Sequence, residues 1–85
     1  SRCLEAAKQA IGAGTRDGNS VRQEMRAVLE SGPGIVLDYA ELVDPITFEP
    51  VNQVTGSVLA VVAARVGATR LIDNLPIPLH ASNPA

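Results

Sequence analysis

Two stretches of helical periodicity fill the first third of the chain. In the first, residues 2–13, apolar side chains recur every three or four positions, and charged or amide side chains fall between them. This spacing places the apolar side chains on one face of a helix and the polar ones toward water. It predicts an amphipathic first helix with a buried stripe of Leu4, Ala7 and Ile11.

The second helix is predicted over residues 20–31. Ser20 and Gln23 are spaced as a capping box, in which the hydroxyl accepts a backbone amide and the glutamine side chain returns the bond. Gly32 and Pro33 supply the expected end of the helix. The buried stripe is predicted to be Val21, Met25, Val28 and Leu29.

After Gly34 the pattern becomes typical of strands. Residues 35–44 are rich in β-branched and alternating side chains, and they predict a strand that ends before Pro45, because proline has no amide to donate to a sheet. Both faces of this strand are partly apolar, so the pattern leaves open which face the helices cover. One face would carry Leu37, Tyr39 and Val43, and the other Val36, Ala40 and Leu42.

A loop is predicted over residues 45–56, followed by the most apolar run of the chain at residues 57–66. The valines and alanines of this run suit a strand that is buried on both faces, which is typical of a central strand. A helix remains the alternative, because alanine favours helices and a run this short has ambiguous periodicity.

The last predicted elements form a hairpin. Residues 67–69 suit a three-residue turn that leads to a third strand over residues 70–75. Pro76 and Pro78 are expected to end regular structure, and residues 80–85 to fray. Two helices followed by three strands predict an α+β fold, in which two helices pack on a three-stranded antiparallel sheet and the whole chain forms one domain.

The charge balance argues against a polyanionic partner. Seven Lys and Arg residues are scattered singly against nine Asp and Glu residues, which gives a net charge of -2. Tyr39 and Phe48 are the only aromatic residues, so the stacking platforms used for single-stranded nucleic acids are missing as well. We therefore expect no nucleic-acid partner.

Cysteine usage and hydropathy indicate the cellular setting. Cys3 is the only cysteine, so no internal disulfide can form, and a reducing, cytoplasmic location is expected. No apolar run approaches the roughly 20 residues needed to cross a bilayer, so no membrane association is expected. The chain does not begin with methionine, which suggests a piece of a longer protein.

A search for a catalytic set finds little. His80 lies in a tail between prolines, with no cysteine or second histidine nearby, and is interpreted as an exposed residue rather than a metal ligand. Neither a GxxxxGK(S/T) loop nor a GxGxxG motif occurs. Asp38 and Glu41 differ in parity along their strand, so they are predicted to point to opposite faces and to form no acid/base pair.

The segment Arg65–Asn74 carries the most distinctive polar pattern. It places Arg65 and Arg70 on either side of a tight turn and ends in Asp73 and Asn74. A guanidinium can clamp a carboxylate or phosphate through two parallel hydrogen bonds. The other interpretation, which the spacing alone favours, is that Arg70 and Asp73 brace the hairpin while Asn74 satisfies backbone groups.

Two blocks of the chain resemble the closing part of pantothenate synthetases, the pantoate-β-alanine ligases. The blocks are Leu37–Asp44, LDYAELVD, and Leu59–Asn74, LAVVAARVGATRLIDN. They occur in the family's order and at a similar separation, and the Arg-x-Gly-x-Thr-Arg-Leu-Ile-Asp-Asn ending is their specific part. The helical first third resembles the family only in its pattern of apolar and polar residues.

The resemblance implies an ATP-dependent ligase of coenzyme A biosynthesis. In this family pantoate is activated as an acyl-adenylate with release of pyrophosphate, and β-alanine then attacks to give pantothenate and AMP. ATP and Mg2+ would bind in the full-length enzyme, whose N-terminal Rossmann-like domain carries a His-x-Gly-His type motif. The family's Ser-Ser-Arg-Asn segment is not matched by Ser1-Arg2, because Arg2 runs straight into the first helix.

By the same resemblance, the chain is the C-terminal lid domain that closes over the larger domain, and the isolated chain is expected to be inactive. No catalytic, cofactor-binding or metal-binding residue is predicted within it. Arg70, Asp73 and Asn74 are the candidates for substrate contact or lid closure. The alternative is a non-enzymatic interaction or dimerisation module, and a homo-oligomer is compatible with either hypothesis.

Overall fold

The computed structural model describes residues 2–79 and contains the five predicted elements. The order is α1 (Arg2–Gly12), α2 (Gly18–Glu30), β1 (Ile35–Val43), β2 (Val58–Val66) and β3 (Thr69–Ile77). The strands form one antiparallel sheet in the order β1-β2-β3. This confirms the α+β prediction and the central position of β2, while the predictions for residues 80–85, including His80, lie outside the described residues.

The core lies between the two helices and one face of the sheet. Both predicted helix stripes point into it, and Cys3 extends the stripe of α1 because its small side chain is almost fully buried. The sheet face that the helices cover carries Ala40 and Leu42 of β1 and Ala60 and Val62 of β2. This settles which face of β1 is buried. Among residues 2–79, no helix is long and apolar enough to span a bilayer.

The predicted capping box at Ser20 is wrong, because Asp17 caps α2. Oδ2 of Asp17 accepts hydrogen bonds from the backbone amide of Ser20 at 3.1 Å and from its hydroxyl at 2.8 Å. Aspartate is among the best N-cap residues, and here Ser20 occupies the third helical position rather than the cap. The helix therefore begins at Gly18, two residues before the predicted start.

A β-bulge at Asp38 overturns the predicted division of β1 into two faces. Leu37 pairs with Ala64 and Tyr39 pairs with Ala63, so Asp38 is the extra residue of β1. An extra residue shifts the alternation of everything after it by one position. Leu37 therefore shares the helix-covered face with Ala40 and Leu42, instead of the face of Tyr39 and Val43.

The turn between β2 and β3 is tighter than predicted, and β3 is longer than predicted. Its loop has two residues, because Val66 pairs directly with Thr69. Gly67 has a φ of 62°, as the first central residue of a type II′ turn requires. β3 also continues through Pro76 to Ile77, since it is an edge strand and can accept a residue that donates no ladder hydrogen bond.

The segment between β1 and β2 is tied to both layers through its backbone. The amide of Val51 donates to the carbonyl of Leu42 at 2.9 Å, and the amide of Gly18 donates to the carbonyl of Asn52 at 2.8 Å. The amide of Val54 donates to the carbonyl of Arg16 at 2.8 Å, and the Val54 side chain is buried. This segment thus lies against the start of α2 and the edge of β1.

Candidate functional site

The sheet face opposite the helices is open in the part of the chain that the structure describes. The strand register aligns Tyr39, Ala63 and Ile72 in one row across the three strands. Tyr39 is 42% exposed and Ile72 is 64% exposed, whereas Ala63 between them is buried. This row, which we call the open-face row, is an apolar strip across the three strands.

Two guanidinium groups lie beside the open-face row, toward the hairpin. Arg65 and Arg70 are directly opposite each other in the register, an arrangement of like charges that destabilises a strand pair. Asp38 offsets this repulsion, because its Oδ2 lies 3.2 Å from Nε of Arg70 and 3.7 Å from Nε of Arg65. The bulge supplies the extra residue whose carboxylate reaches both arginines.

The three predicted site residues do not come together. Arg70 and Asn74 lie on the open face, with Ile72 between them, whereas Asp73 pairs with Val62 and so lies on the helix side. Asp73 borders a notch of about 230 Å³ there, together with Leu29 and Leu71. Its Oδ1 accepts a hydrogen bond from the amide of Asn74 at 2.8 Å. Arg70 and Asp73 therefore do not brace the hairpin together, because Arg70 is paired with Asp38 and Asp73 is bonded to the backbone of Asn74.

Sequence reasoning missed Asp38 and Tyr39 as members of this surface. Both were assigned by strict alternation, which the bulge breaks. The available signal was the position of Asp38, a charged residue inside a largely apolar strand, because a bulge is one way for a strand to accommodate such a residue. The bulge also breaks the alternation on which the predicted separation of Asp38 and Glu41 rests.

The carboxylates of β1 are nevertheless occupied by different partners. Asp38 contacts the two hairpin arginines, while Oε1 of Glu41 lies 2.7 Å from Nη1 of Arg22 on α2. Within residues 2–79, no three His, Cys, Asp or Glu side chains come close enough to hold a metal ion. Asp38 and Glu41 are therefore each paired with arginine.

The groups with displaced pKa values lie away from the open face. Burial raises the pKa of the Cys3 thiol, which lies in the core and stays in its unreactive protonated form. Backbone hydrogen bonds from Thr47 and Ile46 lower the pKa of Asp44, which organises the loop after β1. Both shifts reflect local structure and neither marks a catalytic group.

Comparison with known proteins gives a consistent result. The family model described as pantoate-beta-alanine ligase matches residues 1–76. A pantothenate synthetase from Syntrophobacter fumaroxidans is 43% identical over 74 residues, which cover 87% of this chain and 26% of that protein. A bifunctional pantoate ligase/cytidylate kinase from Acaryochloris marina is 43% identical over 72 residues, which cover 85% of this chain and 14% of that protein.

A solved structure agrees with these sequence relatives. The crystal structure of pantothenate synthetase from Thermus thermophilus superposes with a TM-score of 0.80 and 30% sequence identity, over 87% of this chain and 26% of that one. The chain thus spans about a quarter of the length of the pantothenate synthetases it matches, and about a seventh of the bifunctional relatives.

Proposed function

The chain belongs to the pantoate-beta-alanine ligase family, and on that premise we propose that it is the C-terminal lid domain of a longer ligase. The proposal is supported by the contrast between the share of this chain that the family match covers and the share of a relative's length that aligns with it. The family match takes in nearly the whole chain, residues 1–76, yet the aligned residues make up only 26% of a pantothenate synthetase. Most of the enzyme, and with it the reaction centre, would lie in the remaining polypeptide.

The proposed enzyme joins pantoate to β-alanine in the cytoplasm. It would use ATP to form a pantoyl-adenylate, release pyrophosphate, and then give pantothenate and AMP when β-alanine attacks. ATP and Mg2+ would be held by an N-terminal Rossmann-like domain outside this chain. Within residues 2–79 the β1 carboxylates Asp38 and Glu41 are paired with arginines, and we assign no step of the reaction to this chain.

The contribution of this chain would be closure. An acyl-adenylate is readily lost to water, so a domain that covers it protects the intermediate and keeps the reactants together. The open-face row suits this role because its apolar side chains, Tyr39 and Ile72, are exposed on a sheet backed by the helical layer. Covering that surface would remove both side chains from water and exclude solvent from beneath the sheet.

Arg70 is the residue proposed to orient the closing surface. Asp38 contacts Nε of Arg70, which leaves the two terminal nitrogens of the guanidinium available to a carboxylate or phosphate on the opposing surface. The pair Arg65 and Arg70 carries one positive charge more than Asp38 neutralises. A negatively charged group on the larger domain or on the substrate would complete this cluster.

Two measurements on pantothenate formation test the proposal. The full-length protein should produce pantothenate and AMP from pantoate, β-alanine and Mg-ATP, and the 85-residue chain alone should produce neither. In the full-length protein, Arg70→Ala should slow pantothenate formation by roughly tenfold, the size expected for one lost hydrogen bond to a charged group. Arg26→Ala, an exposed arginine on α2, is the matched control. Unchanged turnover in the Arg70 variant would show that Arg70 does not contribute to the closing surface.

A further inference from the structure

The loop that follows β1 holds two large apolar side chains out in solvent. Ile46 is 86% exposed and Phe48 is 66% exposed. They alternate with Thr47 at the end of a turn that begins at Asp44. Single exposed apolar residues are common on protein surfaces, but two on one loop tip form a small apolar projection. We call Ile46 and Phe48 the loop tip.

The loop tip is held in place by a dense set of local hydrogen bonds. Oδ1 of Asp44 accepts from the amides of Ile46 at 2.8 Å and Thr47 at 3.0 Å, and the Thr47 hydroxyl accepts from the amide of Glu49 at 3.2 Å. The amide of Phe48 donates to the carbonyl of Asp44 at 2.8 Å, and the amide of Asp44 donates to the carbonyl of Glu49 at 2.9 Å. The loop is therefore already ordered before it meets any partner, which lowers the entropy lost on binding.

The backbone at Phe48 is unfavourable for the residue it carries. Its φ is 61°, in the left-handed region, and it is the only residue other than glycine with a positive φ in the described part of the chain. Asparagine or glycine occupies this region more easily than a bulky aromatic residue does. Phe48 thus combines backbone strain with an exposed ring, and residues 2–79 offer no burial in return.

The loop tip is far from the arginine pair. The loop leaves the C-terminal end of β1, whereas the hairpin with Arg65 and Arg70 leaves the C-terminal end of the antiparallel strand β2. A strand of nine residues is about 30 Å long. The loop tip and the arginines consequently lie near opposite ends of the sheet, so a contact at one end does not require the same partner surface as a contact at the other.

We propose that the loop tip is a docking knob that inserts into an apolar recess on the larger part of the same ligase. This inference rests on the proposed function. It adds a second contact with the larger part of the ligase, separate from the contact made by the open face. The length of the relatives supports this occupant, since about three quarters of a pantothenate synthetase lies outside the matched region. Asp44 and Glu49 flank the loop tip, so the rim of the recess should carry basic groups. The same two negative charges would be repelled by an anionic membrane surface.

The test compares Phe48→Asn and Ile46→Ser with Leu71→Ser in the full-length protein. Leu71 is a suitable control because it is 53% exposed but lies on β3, on the helix side of the sheet. The readout is the rate of tryptic cleavage between the larger part and residue 1. Each loop-tip variant should raise this rate by at least about tenfold, because losing one buried apolar side chain shifts a docking equilibrium by that factor or more, while Leu71→Ser should leave it unchanged.

Thermal unfolding of the 85-residue chain separates docking from folding. Phe48→Asn should unfold at the same temperature as the unaltered chain or a higher one, because asparagine suits the left-handed backbone. Equal cleavage rates in all full-length variants would overturn the inference. It would also be overturned if the loop-tip variants changed only the oligomeric mass, because the loop tip would then bind a second copy of the chain. The cleavage rate does not depend on catalytic turnover. If the unaltered full-length protein lacked ligase activity, the proposed function would fail, and the cleavage comparison would still test the docking inference.

Discussion

Arg22 on α2 and Glu41 on β1 form an ion pair between the two layers, with 2.7 Å between Nη1 and Oε1. The same guanidinium donates to the carbonyl of Val51 at 2.9 Å and to Oδ1 of Asn19 at 2.7 Å. Glu41 also accepts from the amide of Leu42 at 3.1 Å. One largely buried arginine therefore connects a helix, a strand and the long loop.

Replacing Arg22 by methionine should destabilise the domain. Methionine keeps an apolar stem of similar length but removes every donor, so Glu41 and the Val51 carbonyl each lose a partner. We expect the free energy of unfolding in urea to fall by about 2 kcal/mol. Arg26→Met on the exposed face of α2 should change it by less than about 0.5 kcal/mol. Equal effects at the two positions would show that Arg22 does not connect the layers energetically.

Gly18→Ala should also destabilise the domain, against the usual preference for alanine in helices. A Cβ at position 18 would clash with the backbone oxygen of Val51 and lie 3.1 Å from that of Asn52, and a backbone atom cannot move aside as a flexible side chain can. The expected loss is about 1–3 kcal/mol, the range for overpacking. Gly12→Ala is the matched control, because nothing lies within 4 Å of its Cβ and the helix should gain up to about 1 kcal/mol.

The loop after β1 should lose stability in acid because of Asp44. Hydrogen bonds from Thr47 and Ile46 favour the carboxylate and lower the pKa of Asp44 from its ordinary value of 3.8. A lowered pKa in the folded state gives stability that is fully present above 3.8 and is lost as the pH falls through the lowered value. The difference in unfolding free energy between the unaltered chain and Asp44→Asn should stay constant above about pH 5 and shrink on further acidification. A difference that does not vary with pH would contradict this account.

Asp38→Asn should leave Arg65 and Arg70 facing each other without a balancing charge. The site is partly exposed, so the loss of stability should be modest, about 0.5–1 kcal/mol at low salt. Added salt screens the repulsion and should reduce the loss. Thermal unfolding at low and high ionic strength checks this, and a loss that is independent of salt would mean that Asp38 acts through the bulge geometry alone.

The sequence predicts most of the fold because its signals are local. The stripe of Leu4, Ala7 and Ile11 and the change of pattern after Gly34 are sufficient to place two helices and three strands, as the structure confirms. The apolar run at residues 57–66 is a strand because it lies at the centre of the sheet, where tertiary pairing overrides the helical preference of alanine. The helical stripe and the change of pattern after Gly34 depend only on neighbours along the chain, whereas the strand at residues 57–66 also depends on its pairing in the sheet.

The errors arise where long-range contacts decide the outcome. Asp17 rather than Ser20 caps α2, and the helix begins at Gly18, whose amide is satisfied by Asn52 across the long loop. The bulge at Asp38 depends on which residues of β2 it faces, so alternation within β1 could not reveal it. The second error also affected the candidate site, because the bulge brings Asp38 rather than Asp73 to Arg70.

The most direct test of the central claim is the ratio of AMP released to pantothenate formed by the full-length protein. If the open face covers the reaction site, the unaltered protein gives about one AMP per pantothenate, because the adenylate is kept from water. The double variant Tyr39→Ser with Ile72→Ser should give clearly more AMP than pantothenate, as water reaches the adenylate. A ratio of about one at an unchanged rate in that variant would contradict the proposal that this chain closes over the reaction through its open sheet face.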